Sequence, residues 1–141
     1  MTDRSPFVSA RARLALAAVV AIATAPATKP LQAADLSALL GLGRRALEPD
    51  LQSLVRAGVL RGLLGPRGGY GLARPAREIG VGTVVRVAES LRPGQKPPLP
   101  ALVGEVVDAM LDFPSRRFAE ALDAITLADL VERAANRARA A

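Results

Sequence analysis

The chain has 141 residues, enough for one domain, or for one small domain with an appended helical arm. Half of it is hydrophobic but only 3% is aromatic, so Leu, Val and Ala must build the core. It contains neither cysteine nor histidine, which excludes disulfides, thiolate switches, Cys/His zinc sites and Ser–His or Cys–His catalysis within this chain.

The formal net charge is +6 and it is unevenly spread. Residues 1–28 hold three basic side chains against one acidic, and residues 29–80 hold eight against four. Residues 81–141 balance eight against eight. The excess therefore lies ahead of residue 81, where a phosphate-binding surface is to be sought. Neither a Walker sequence nor a carboxylate metal cluster is present, and no enzyme is read from this chain.

Leu14–Ala23 is a run of ten apolar residues preceded by Arg4, Arg11 and Arg13, with Ala-x-Ala at Ala21–Ala23 and Ala25–Ala27. A secretory signal has that outline, although a membrane span takes roughly 20 apolar residues. The competing reading is a first helix from about Ser9 to Thr24, apolar nearly all round, closed by Pro26 and suited to burial. The basic unit downstream has little use outside a cell, which favours the buried helix.

A second helix is predicted over Leu31–Leu40, with Ala33, Leu36, Leu39 and Leu40 facing inward. Gly41-Leu42-Gly43 then supplies the tight turn of a helix-turn-helix. The third helix carries Leu47, Leu51, Leu54 and Val55 at i, i+4, i+7 and i+8, a core stripe. Its opposite face holds Arg45, Pro49, Gln52, Ser53 and Arg56. Arg and Gln side chains can read guanine and adenine edges in a major groove. Pro49 implies either a helix starting near Glu48, with Arg44 and Arg45 in the turn, or a short opening turn followed by a kink.

Two apolar runs, Val59–Leu64 and Tyr70–Ala73, flank Gly65, Pro66, Arg67, Gly68 and Gly69, which is hairpin chemistry. An amphipathic helix followed by a basic hairpin is the layout of a winged helix, and it points to nucleic-acid binding. The candidate DNA contacts are Lys29, Arg44, Arg45, Gln52, Ser53, Arg56 and, at the hairpin tip, Arg67.

Arg92–Pro100 is a proline-rich loop. Beyond it Leu102, Val106, Met110 and Phe113 share one helical face, with Val103 and Val107 beside them. So broad a stripe on a small chain is expected to serve dimerisation, with ordinary intrachain core as the alternative. Pro114 is expected to end or kink this helix, and Ser115 to cap a following stretch holding Phe118, Ala121 and Leu122. Thr126 and Asp129 mark the start of a last helix whose apolar face includes Leu127, Leu130 and Val131. Arg133, Arg137 and Arg139 read as its solvated side. The expected fold is mainly α with a small β-wing: a winged helix-turn-helix over residues 1–80, then a helical dimerisation arm over residues 81–141.

From Leu31 to Ser90 the chain resembles the Rrf-type winged-helix transcriptional regulators, the bacterial family that includes IscR and NsrR. The resemblance rests on L-E-P-D-L-Q-S-L-V-R-A-G-V-L-R-G at Leu47–Gly62 and G-P-R-G-G-Y-G-L-A-R at Gly65–Arg74. It continues in E-I-G-V-G-T-V-V-R-V-A-E-S at Glu78–Ser90 and in I-T-L-A-D-L at Ile125–Leu130. It implies a cytoplasmic, nucleoid-associated homodimer, generally a repressor, on a near-palindromic operator in double-stranded DNA. No membrane partner is implied.

Two departures qualify the resemblance. Cluster-binding members carry three cysteines between wing and long helix, where Arg92–Pro100 offers no soft ligand, so no cofactor or metal is expected. The wing has Leu64 before Gly65 and Gly71 after Tyr70, where relatives often place a second Arg, implying fewer phosphate contacts and Leu63–Leu64 packed on the protein. A small-molecule effector between core and arm stays unassigned. A winged-helix interaction module without DNA binding is the alternative function, because folds do not fix functions. A secreted small protein stands only if the Leu14–Ala23 segment is cleaved.

Overall fold

The structure, a computed structural model, describes residues 7–91 and 100–141. Most of the Arg92–Pro100 loop and the Arg4 position therefore lie outside the described residues. Helix α1 (Ala10–Thr24) opens on Ser9, whose Oγ accepts from the Ala12 amide at 3.1 Å and so satisfies one of the free first-turn donors. Ala12, Ala15, Ala18, Val19 and Ile22 are all buried. Their spacing follows the helical period, and the alanines let neighbouring backbones come close. Four elements pack most closely on α1: α2 (Ala33–Leu40), the second strand of the hairpin, α4 (Val81–Ser90) and α6 (Leu127–Ala140). The apolar run Leu14–Ala23 is thus core, and cutting it away would remove the helix around which the others assemble. Among the described residues no helix is long and apolar enough to cross a membrane.

Helix α2 starts two residues later than expected because Leu31 is occupied elsewhere: its carbonyl accepts from the Tyr70 amide at 2.8 Å. The Gln32 amide donates to Asp35 Oδ2 at 2.8 Å at the helix start. Eight residues leave room for only a narrow buried stripe, Ala33 and Leu36 with Leu40 half-buried. Leu39, expected inside, falls beside that stripe and is 64% exposed. Gly41, at φ 67°, ends the helix in the left-handed region that favours glycine.

Helix α3 (Arg44–Arg56) runs unbroken through Pro49 and starts at Arg44, so neither expected interruption occurs. Pro49 has no N–H to give the Arg45 carbonyl and its ring crowds that carbonyl, together costing about 3 kcal/mol in a helix interior. Leu47, Leu51 and Leu54 are fully buried and contribute about 1.5–3 kcal/mol each, which outweighs it.

Strands β1 (Leu60–Leu63) and β2 (Gly69–Leu72) form the antiparallel hairpin, in register from Leu60↔Leu72 to Leu63↔Gly69. The Leu31↔Tyr70 bridge adds a short third edge. Gly65-Pro66-Arg67-Gly68 closes as a β-turn, the Gly68 amide donating to the Gly65 carbonyl at 2.9 Å. A Cβ at Gly68 would collide with the Leu63 carbonyl, and one at Gly69 with that of Leu31, so both glycines are required by close approach.

A 3-10 turn, Ala76–Glu78, leads into α4, whose Val84, Val85 and Ala88 are buried. After the loop a π-helical turn, Val103–Asp108, runs straight into α5 (Ala109–Asp123). Pro114 neither ends nor breaks this helix, and Ser115 lies inside it rather than capping a new one. Here the helix is exposed, so water can take the carbonyl that the proline leaves without a donor. Helix α6 starts as expected: the Asp129 amide donates to Thr126 Oγ1 at 3.2 Å, and the Thr126 amide to Asp129 Oδ2 at 2.8 Å. The α5–α6 turn is sewn to the start of α4 by Val81 N–H to Ile125 O and Leu127 N–H to Ile79 O, both 2.8 Å. The fold is mainly helical with a small β-wing.

Candidate nucleic-acid interface

Helix α3 turns its leucines into the core and leaves Arg44, Arg45, Gln52 and Arg56 exposed. Arg44 and Glu48, one turn apart, approach to 3.6 Å at the surface, a pair worth a few tenths of a kcal/mol that solvent and salt weaken further. Arg44 therefore stays free to exchange its partner for a phosphate or a base. Gln52 Nε2 lies 3.5 Å from Tyr70 Oη, the outer limit of a hydrogen bond, which sets the helix edge against the hairpin.

Ser53 does not belong to this face. It is buried, three residues along the helix from Asp50. Its Oγ accepts from Arg56 Nη2 at 3.0 Å, so its part is to hold the Arg56 guanidinium along the helix.

The hairpin supplies the second half of the surface. Arg67 sits at the third position of the tip turn and is exposed. It lines a cleft of about 420 Å³ with Lys29, which comes from the α1–α2 connection. Residues 38 apart in sequence thus place two cations on one depression. A neighbouring cleft runs between Arg44, Glu48 and Gln52 of α3 and Leu64 and Tyr70 of the hairpin. Arg45 lies farther round α3, beside Leu14 and Leu42. Leu64 does not pack on the protein as expected; it is 99% exposed, because Leu63 takes the last paired place opposite Gly69 and the chain then turns outward.

The sequence reading missed what lies behind this surface. Asp50 on α3 is 7% exposed, and the Arg11 side chain of α1 closes over it. Arg11 Nη2 and Nε reach Asp50 Oδ1 at 2.7 and 3.0 Å, while Nη1 donates to the Leu91 carbonyl at 3.1 Å. At the same end of α1, Ser9 Oγ donates to Glu89 of α4. An acidic residue at the border of the leucine stripe was the available signal, but no spacing rule pairs it with an arginine 39 residues earlier.

The profile of Rrf2, described as an iron-dependent transcriptional regulator, matches residues 8–133. The HTH-type transcriptional regulator IscR of Vibrio atlanticus is 32% identical over 81 residues, covering 57% of this chain and 47% of that protein. An HTH-type transcriptional regulator of Mycobacterium tuberculosis is 37% identical over 78 residues, 55% of this chain and 48% of that one. The matched region is thus about half the length of these relatives. Among solved structures, IscR from T. potens superposes with a TM-score of 0.69 at 29% identity, over 90% of this chain and 87% of that one. The oxidised form of Staphylococcus aureus CymR gives 0.65 at 26% identity, over 89% and 95%.

Proposed function

The chain belongs to the Rrf2 family of transcriptional regulators, and from that premise we propose that it is a cytoplasmic, homodimeric repressor that binds a near-palindromic operator in double-stranded DNA. What supports this reading is that Arg44, Arg45, Gln52 and Arg56 are exposed along α3, while Lys29 and Arg67 line one cleft by the hairpin tip. Helix α3 enters the major groove and reads base edges, while Arg67 and Lys29 take backbone phosphates and fix the register. In this reading residues 1–80 present the DNA surface and residues 81–141 carry the dimer helix. Helix α4, packed on α1, joins the two.

The second copy meets the stripe of helix 101–123. Leu102, Val106, Val107, Met110 and Phe113 are exposed in the single chain, Met110 by 74%, and Val103 is half-exposed beside them. A two-fold axis through that stripe covers it on both subunits with one self-complementary contact and spaces two copies of α3 for an operator with two half-sites.

Iron does not fit this chain. The 141 residues include no thiolate or imidazole donor, and among the described residues no three carboxylates gather as a metal site.

The test is selection of bound DNA from a random duplex pool by the purified protein. The expected result is an enriched near-palindrome whose affinity falls steeply with salt. A pool with no enriched sequence and no salt-dependent binding would hand the protein to the interaction-module reading.

A further inference from the structure

The Arg11–Asp50 contact differs from four ion pairs that lie on the surface. Arg44–Glu48, Arg86–Asp123, Arg116–Asp112 and Arg117–Glu120 each have both side chains about half or more exposed, whereas the Asp50 side chain is 10% exposed. A buried carboxylate is expensive, and a pair of apolar side chains of similar size would generally serve stability as well or better. What the ion pair provides instead is direction: a planar fork fixes both the distance and the angle of its carboxylate.

The place where this fork holds α3 matters. Asp50 follows Pro49, the one residue of α3 that cannot donate to the turn before it. Without that bond the first turns, bearing Arg44 and Arg45, have a softer connection to the second half, bearing Gln52 and Arg56. The Arg11 guanidinium grips the helix at this junction and anchors itself with its remaining nitrogen on the Leu91 carbonyl at the end of α4. One side chain thereby references the weak point of α3 to α1 and α4.

We propose that Arg11 is a positioning residue for DNA recognition: it pins α3 at its proline-weakened midpoint, so that the two halves of the reading face address one operator in a single register. This rests on the DNA-binding reading above. The Arg11 guanidinium is committed to Asp50 and the Leu91 carbonyl, so its effect falls on discrimination between sequences rather than on attraction to phosphate.

The experiment measures the ratio of operator to random-duplex affinity, with thermal unfolding of every variant in parallel. In Arg11→Met/Asp50→Leu both charges leave together, so the unfolding temperature is expected within about 5 °C of the parent. The affinity ratio is nevertheless expected to fall about tenfold or more, with random-duplex affinity unchanged. A folded double variant that keeps the full ratio overturns the proposal. Should that variant fail to fold, Arg11→Lys decides, because one ammonium keeps the charge but cannot hold both Asp50 and Leu91 in a fork. It should lose part of the ratio, and Pro49→Ala in the same background, by restoring the missing donor, should recover it. A folded Arg11→Lys with an unchanged ratio, or a loss that Pro49→Ala does not repair, overturns the proposal. Failure of the DNA-binding reading itself would show in the unsubstituted protein, which would have no operator preference to lose.

Discussion

In α3, Leu47, Leu51 and Leu54 repeat at i, i+4 and i+7, and all three are fully buried. In helix 101–123, Leu102, Val106, Met110 and Phe113 repeat at i, i+4, i+8 and i+11, and all four are exposed. Both helices also carry an internal proline, Pro49 and Pro114. The patterns are of one kind, and the difference lies in what stands opposite. Helix α3 is met by α2, α4 and the hairpin of its own chain, whereas the stripe of helix 101–123 faces outward. Apolar periodicity states that a face needs cover; it does not say which chain supplies it.

The most disruptive way to break this comparison is to charge the outward stripe. Val106→Glu with Met110→Glu is expected to convert a dimer into a monomer and to weaken operator binding about a hundredfold or more, since each subunit would then hold only one half-site. Sedimentation of the parent protein as a monomer at micromolar concentration would refute the dimer outright.

A milder pair of substitutions sharpens it. Leu51→Ala in α3 should destabilise the fold by roughly 2–5 kcal/mol at any protein concentration, because its cavity lies within one chain. Leu102→Ala should instead lower the unfolding temperature only through the dimer, so the loss should change with dilution. Calorimetry over a range of concentrations separates the two, and a concentration-independent loss at Leu102 would make the stripe intrachain core.

The same contrast explains what could be read without a structure. The cap of α6 at Thr126 and Asp129, the hairpin turn at Gly65–Gly69 and the leucine stripe of α3 are local, set by neighbours within a turn or two. Features that depend on distant parts of the chain were not legible. The prolines look like breaks in sequence, yet packing carries α3 through Pro49 and solvation carries α5 through Pro114. Ser53 sits on the nominal outer face of α3, yet the fold buries it. Leu64 looks like a packing residue until the register opposite Gly69 turns it out. The cleft shared by Lys29 and Arg67, and the pairing of Arg11 with Asp50, are products of the tertiary arrangement alone.

Substitutions on the reading surface have smaller effects that differ in kind. Gln52→Ala or Arg45→Ala should cost roughly 1–3 kcal/mol at one or two base positions and relax selectivity there. Arg67→Ala should weaken operator and random duplex more evenly and lower the salt dependence by about one counterion per subunit. Titrations at several salt concentrations on both duplexes distinguish these outcomes. Uniform losses at all three positions would mean that α3 contacts backbone rather than bases.

The smallest expected effect is that of iron. Residues 92–100 of this chain supply no cysteine, histidine, aspartate or glutamate, so ferrous iron has nothing there to bind beyond backbone carbonyls and a Gln side chain. Outside that segment the described carboxylates are dispersed, several of them already paired with arginines on their own helices. Operator affinity measured anaerobically with added ferrous iron, and again with a chelator, should therefore agree within about twofold, less than the energy of one weak hydrogen bond. A tenfold difference between the two titrations would require a metal site assembled from oxygen ligands across the dimer, and would return iron to the regulation of this protein.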